Sequence, residues 1–352
     1  MSKQVTPTTD AIILDPQLRL TVAENAKAVD KNEKDARYIL PLLGEAGLIG
    51  TDVRMTLEVI RELSAEDLSV GFTTWATRMT YGFLKQAGTD YAEGLADKIA
   101  AGTHPGVTGM AGSFKELAGA GEIDLHAKKT DDGYVITGKL GWASNLYDDA
   151  IVVTGAKTDD GHKIIFAFEA GHEGVTFGTP FGLLGLNATQ SAWASFDDVK
   201  IPQSQVLTED FVPFMTAVRP VFVLSQIAEC LGVAEAAAAQ AEPKLTGVKE
   251  TFAEDLVDAQ AFTADVLRRW NALIEQVIAG EELNLVELLE LRLDASEAAV
   301  SAANIEVRVA GGAGYASSSS ASRRYREASF IPVQSPSEAQ LRFQLQQAKA
   351  AA

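Results

Sequence analysis

The spacing of apolar side chains divides the chain into three stretches. Up to about residue 105 they recur every three or four positions. In "DKNEKDARYILPLLGEAGLIG", Ile39, Leu42, Leu43 and Ala46 fall on one helical face. "MTLEVIRELSAEDLSVGFTTWATRMTYGFLKQAG" and "YAEGLADKIAAG" continue the pattern, so residues 1–105 read as a helical domain. From 106 to 210 the character changes. Val, Ile, Thr and Phe dominate, and Asp132-Gly133 and Asp160-Gly161 stand beside extended runs, where Asp-Gly favours tight hairpins. "GLLGLNATQSAWASFDDVKIP" carries the strand pattern on to Pro202. From 211 to 352 helical spacing returns. Phe252, Leu256, Ala259, Phe262, Val266, Trp270, Ile274 and Val277 form one stripe. Arg219-Pro220 reads as the opening of a long helix, because proline suits a first turn. Asn284 with Glu287 reads as the capped start of another, running to about Ala310. The expected class is α+β: a helical N-terminal domain, a β middle domain and a C-terminal helical bundle.

That order argues against a nucleotide-binding α/β domain, because strands do not alternate with helices. It also decides how "GGAGY" at 311–315 is read. A dinucleotide fingerprint follows a strand and opens a helix; these glycines follow a helix and read as its C-cap, with glycine in the left-handed conformation.

Composition narrows the class further. With 352 residues and 47% hydrophobic content, the chain is a globular protein of two or three units. No run approaches the ~20 consecutive apolar residues of a membrane-crossing helix. The opening "MSKQVTPTTDAIILDPQL" has no basic segment followed by an apolar one, and Cys230 is the single cysteine; the expectation is a cytoplasmic protein. A net charge of −18 disfavours nucleic acid and acidic membrane surfaces as partners, and anionic small molecules unless Lys and Arg gather at a site. His104, His126, His162 and His172 lack ligand spacing, so no metal is expected. No Gly-x-Ser-x-Gly elbow supports a serine hydrolase.

One segment combines chemistry with geometry. In "ITGKLGWASN", residues 136–145, Trp142 and Ser144 are two apart and project from the same face of an extended strand. On its own the tryptophan reads as a core aromatic.

Several motifs together are similar to the acyl-CoA dehydrogenase family of flavoproteins. "SFDDVKIP" (195–202) resembles that family's Phe-Asp-Asp-Val-x-Val-Pro, and "VTGMAGS" (107–113) its Val-Thr-Glu-Pro-x-Ala-Gly-Ser with Glu-Pro replaced and one residue lost. "GWASN" resembles Trp-x-Ser/Thr-Asn, "AGGAGYASSSSASRRYREA" the Gly-Gly-x-Gly-Tyr … Tyr-Arg-Asp-Ala stretch, and "PVQSPSEAQLR" the Tyr-Glu-Gly-Thr-Ser-Glu-Ile-Gln stretch. The resemblance covers essentially the whole chain. It implies a helical domain, a β-barrel-like middle domain and a C-terminal four-helix bundle, assembled as a dimer or homotetramer around FAD, with FMN as the alternative. It implies that Trp142 flanks the isoalloxazine ring, that the Ser144 hydroxyl bonds flavin N5, and that Thr108 bonds the pyrimidine side. A hydroxyl can donate or accept as the redox state changes. Gly311, Gly312 and Gly314 would let backbone approach the dinucleotide, Glu338 falls with the cofactor residues, and Ser113 with the substrate. The substrate would be a small molecule such as an acyl-CoA, and a flavin reductase or an electron acceptor would be the partner.

The pattern departs from the family where the base belongs. The thioester reaction needs a carboxylate to take the α-proton. The position before Gly-Thr in the commonest subgroup is Gln334 here, and the alternative bundle position is Phe222. Neither can serve, and Glu338 and Glu229 are the substitutes within reach of the motifs. The Arg-x-x-Phe-Gly pyrophosphate motif is reduced to "PKLTG", leaving Lys244 without arginine's bidentate fork. The Pro-Glu-x-x-Gly-Gly loop is skipped between Ile49 and Thr56. Three readings follow: an acyl-CoA dehydrogenase-like oxidoreductase acting on a CH–CH group with a relocated base, a two-component flavin monooxygenase of the same fold, and a non-catalytic paralogue kept for flavin binding or assembly.

Overall fold

The computed structural model describes residues 13–351; the N-terminal stretch read above for a secretory pattern begins in residues 1–12, outside the described residues. The helical first part holds α1 (Pro16–Asp30), α2 (Ile39–Glu45), α3 (Val53–Glu66), α4 (Leu68–Ala87) and α5 (Asp90–Ala100). Side-chain caps set most of these boundaries. Asp15, Asp52, Asp67 and Thr89 each accept a backbone N–H of the helix they precede, satisfying donors that have no intrahelical partner. Asp67 separates α3 from α4 with an extended backbone, and its carboxylate is fully buried.

The middle part contains β1 (Gly106–Gly109), a short helix α6 (Ala111–Leu117), β2 (Leu125–Thr130), β3 (Gly133–Ala143), β4 (Ile151–Lys157), β5 (Lys163–Glu169), β6 (Val175–Phe177), β7 (Ala192–Pro202) and β8 (Val206–Thr208). They form one mixed sheet in the order β6-β7-β3-β2-β4-β5-β8, with β1 parallel to β4. Both Asp-Gly turns close hairpins, β2–β3 and β4–β5. At the first, Gly133 has φ +147, and a Cβ there would lie 2.2 Å from the Ile201 carbonyl oxygen. The stretch "GLLGLNATQ" is not strand, contrary to its apolar pattern. Leu186 and Gln190 have φ +61 and +45, which break extended geometry, and β7 starts only at Ala192.

The last part holds α7 (Phe211–Ala241), α8 (Ala253–Ile278), α9 (Leu285–Ala310), α10 (Gly312–Tyr315), α11 (Ser320–Ala328) and α12 (Glu338–Ala351). Asn284 caps α9 by accepting from the Glu287 N–H at 3.2 Å, and Gly311 ends it with φ +65. Pro220 does not open a helix. It sits inside α7, which begins at Phe211; the ring removes one ladder bond, and the helix continues because so much of it is packed. The helix through Lys244 is long and apolar enough to cross a membrane by length and composition, yet 83% of its apolar window is buried within the molecule. It is the central helix of the bundle, packed on α8, α9 and α3. At the α3 contact a Cβ on Gly232 would lie 2.2 Å from the Arg61 carbonyl oxygen. One large core joins the N-terminal helices, one face of the sheet and the bundle, and a second fills the other side of the sheet.

Candidate functional site

The end of β3 supplies the first wall. Trp142 is 49% exposed, which excludes the core role its type suggests, and its ring lies 4.7 Å from that of Phe181. Ala143 is buried between Trp142 and Ser144, as strand alternation requires. Asn145 then turns the chain with φ +61, a conformation asparagine tolerates. Its amide donates to the carbonyls of Thr73 (3.1 Å) and Gly106 (3.0 Å), pinning the strand end to α4 and β1. Thr108 lies on β1 two residues beyond that anchor.

The opposite wall is aromatic. Phe72 and Trp75 of α4 stack at 5.2 Å, Phe330 meets Phe72 edge-on, and Phe222 of α7 packs on Trp75 and on Phe114. Between the walls lies a cavity of about 590 Å³. Thr108, Trp142, Ser144, Phe222 and Gln334 all line it, so five residues singled out from the sequence converge there. Among the described residues no Asp or Glu lines it; the charged ones are Lys115 and Arg326. Arg326 is neutralised by Asp30, whose two carboxylate oxygens each accept from it at 2.7 Å. Lys115 is exposed at the edge. The buried Gln340 Oε1, also at the cavity, has no partner among the described residues.

Glu229 stands one hydrogen bond behind this wall. Gln334 Nε2 donates to its Oε2 at 2.7 Å, while its Oε1 has no partner among the described residues. Burial pushes the Glu229 carboxyl up to about 8, against the opposing effects of Gln334 and of the Arg292 guanidinium. Arg292 is itself occupied by Gln226, Cys230 and the Ile331 carbonyl. Burial therefore favours the protonated acid over the carboxylate behind this wall.

Other sequence-derived positions lie elsewhere. Ser113 is buried, with its hydroxyl unpartnered among the described residues, against Gly155 of β4. Gly311 and Gly312 face open space, and Gly314 packs at the turn after α9. Glu338 lines a separate groove of about 670 Å³ between α9 and α12, where it accepts from Arg342 at 2.7 Å. Lys244 has its ammonium 3.9 Å from buried Glu306, which also accepts from Arg324. Residues not foreseen include Phe72, Trp75 and Phe330, which helical periodicity assigns to core, and Thr189 and Ser191. Two hydroxyls flanking Gln190 just before a strand were the only signal for that pair.

The chemistry of the lining fits the ring end of a flavin. Trp142 offers a flat exposed face, Thr108 and Ser144 offer hydroxyls beside it, and the volume lies within the range of small-molecule sites. The phosphate end is less provided for in a single chain, since Lys244 is engaged by Glu306.

No protein-family model matches the chain. The mitochondrial short-chain specific acyl-CoA dehydrogenase of Sus scrofa is 25% identical over 341 residues, covering 88% of this chain and 81% of that protein. The short-chain specific acyl-CoA dehydrogenase of Megasphaera elsdenii is 26% identical over 314 residues, covering 84% and 82%. The solved structure of butyryl-CoA dehydrogenase from Megasphaera elsdenii superposes with a TM-score of 0.82 at 23% identity, over 99% of this chain and 100% of that one. The chain has the acyl-CoA dehydrogenase fold. In sequence it is similar to acyl-CoA dehydrogenases at 25–26% identity.

Proposed function

We propose that the chain is a flavin-dependent oxidoreductase acting on an acyl thioester or a similar acyl compound. The observation that carries this reading is the convergence of Thr108, Trp142, Ser144 and Gln334 on one cavity with an aromatic far wall. FAD, or FMN as the shorter form, would supply two-electron redox chemistry when bound. Trp142 would cover the ring, and the Thr108 and Ser144 hydroxyls would bond its polar edge. Phe72, Trp75, Phe222 and Phe330 would exclude water from an acyl chain, and Lys115 would meet an anionic group at the mouth. An electron acceptor or a reductase would complete the cycle, and Gly311, Gly312 and Glu338 remain available to a neighbouring copy of the chain.

The lining, which holds no carboxylate among the described residues, favours a second reading. Proton abstraction from a thioester α-carbon needs a base that touches the substrate, and the cavity presents Gln334 and Phe222 at the usual base positions. A two-component monooxygenase of the same fold requires no such carboxylate. An absorbance spectrum after incubation with FAD or FMN and gel filtration tests flavin binding. Anaerobic bleaching of that spectrum by an acyl-CoA supports the dehydrogenase reading. Failure to bleach, with oxygen-dependent turnover after chemical reduction, supports the monooxygenase. Absence of flavin in both redox states refutes the proposal.

A further inference from the structure

Ser144 ends a chain of three hydroxyls. Its Oγ lies 2.7 Å from Ser191 Oγ, which lies 2.8 Å from Thr189 Oγ1, which lies 2.8 Å from the Leu186 carbonyl oxygen. A carbonyl only accepts, so the chain has a preferred sense. Thr189 donates to Leu186, Ser191 then donates to Thr189, and Ser144 donates to Ser191. In this arrangement every proton is used, and Ser144 turns lone pairs to the cavity. The reverse sense strands the Thr189 bond to Leu186 in a site where Thr189 is fully buried and Ser191 is 3% exposed.

The loop is built to hold this chain. Leu186 and Gln190 bracket it with φ +61 and +45, and non-glycine residues in that region are strained. The strained turns aim the Leu186 carbonyl at Thr189. The Thr189 carbonyl accepts from the Asn145 N–H at 2.8 Å, and the Gln190 carbonyl from the Leu146 N–H at 3.2 Å, which fasten the loop to the end of β3. The Ser191 carbonyl accepts from the Phe181 N–H at 2.8 Å, and Phe181 backs Trp142. One loop therefore positions both the aromatic face and the hydroxyl.

We propose that the Thr189–Ser191 relay fixes Ser144 as a hydrogen-bond acceptor, so that the site prefers a ligand edge bearing an N–H over one bearing a bare ring nitrogen. Resting on the flavin reading, this means that the relay favours the reduced flavin, whose N5 carries hydrogen, over the oxidised flavin, whose N5 can only accept. Thr189 and Ser191 are positioning residues. They bias a redox equilibrium through the sense of one hydroxyl and touch no substrate.

The test compares affinities for oxidised and dithionite-reduced FAD, measured anaerobically by equilibrium dialysis, in the wild type, Thr189→Val and Ser191→Ala. Reversing the hydroxyl sense costs about one neutral buried hydrogen bond, so the reduced-to-oxidised affinity ratio is expected to fall about fivefold in both variants. Circular dichroism confirms the fold of each, and Ser191→Ala, which deletes a single oxygen, serves if Thr189→Val does not fold. An unchanged ratio in a folded variant that binds flavin overturns the relay while leaving the flavin reading intact. Binding of neither form by the wild type overturns both.

Discussion

Replacing Glu229 by glutamine isolates a single buried proton. The two side chains have nearly the same shape, and the amide oxygen of the Glu229→Gln variant can still accept the bond from Gln334. Folding lifts the Glu229 carboxyl from an ordinary 4.5 to about 8, with burial as the main cause. Between those values the folded state keeps a proton that the unfolded chain has released. Stability from this group is therefore fully present below pH 4.5 and is lost as pH rises to about 8. At 1.36 kcal/mol per pH unit, the loss amounts to about 3 kcal/mol at pH 7 and about 5 kcal/mol above pH 8, as upper bounds. Glu229→Gln carries no such penalty. With an unfolding entropy of about 2.1 cal/mol/K per residue, the variant should melt about 4 °C above the wild type at pH 7 and about 7 °C above it at pH 9. Near pH 5 the two should converge. The assay is differential scanning fluorimetry of both proteins from pH 5 to 9. Taking the difference at each pH removes other titrating groups, including Asp67, which burial and Glu327 push up to about 7. Cys230 beside the site stays a thiol throughout, because burial pushes it up to about 11. A melting difference that is flat with pH, or that grows as pH falls, would refute the assignment of a proton to Glu229.

Three further outcomes are expected. Trp142→Ala should weaken flavin binding three- to tenfold, roughly the worth of one aromatic contact, while shifting the melting temperature by less than about 1 °C because the ring is half exposed; fluorescence titration and melting check both. Gly232→Ala should destabilise by about 3 kcal/mol, since a Cβ 2.2 Å from the Arg61 carbonyl oxygen forces α3 away from α7; chemical denaturation measures it, and a neutral result would contradict that close contact. Arg326→Ala should cost about 2 kcal/mol, less than for a fully buried pair, because it leaves Asp30 uncompensated at a partly solvated site; the same loss in Asp30→Asn, and no further loss in the double variant, would show that the pair acts as a unit.

Local rules made much of the fold readable. Asn284 announced its helix, and the two Asp-Gly turns announced their hairpins, because both signals act within a few residues. Reading failed where tertiary packing outweighed local preference. Pro220 should have opened a helix but is carried inside α7, whose flanking turns are held by burial. The apolar run before β7 should have been strand but carries two strained turns, and those turns support the hydroxyl relay. Part of the cavity lining was legible through motifs, since Thr108, Trp142 and Ser144 each lie in a short recognisable segment. The contact between Gln334 and Glu229 was not legible as a pair, because 105 residues separate them and only the packing of α7 against the segment before α12 joins them. Phe72 and Trp75 were hidden for a different reason. A helix's buried stripe reads the same whether it faces a filled core or a cavity.

The Gln334–Glu229 arrangement constrains what the cavity can do. An amide lines the wall, and the acid that could have supplied a base lies behind it, where burial favours its protonated form. Among the described residues the cavity lining therefore includes no carboxylate, although the chain carries a net −18. To a ligand with anionic character the described lining offers the exposed Lys115 and no carboxylate. The same arrangement disfavours proton abstraction: the Gln334 amide is no base, and burial raises the proton affinity of Glu229 while Gln334 stands between it and the cavity. On the flavin reading, the polar groups this lining offers a ligand are uncharged ones such as the Ser144 hydroxyl and the Gln334 amide. That is why the sense of one hydroxyl, set by Thr189 and Ser191, carries weight here that a cavity with its own carboxylate would not give it.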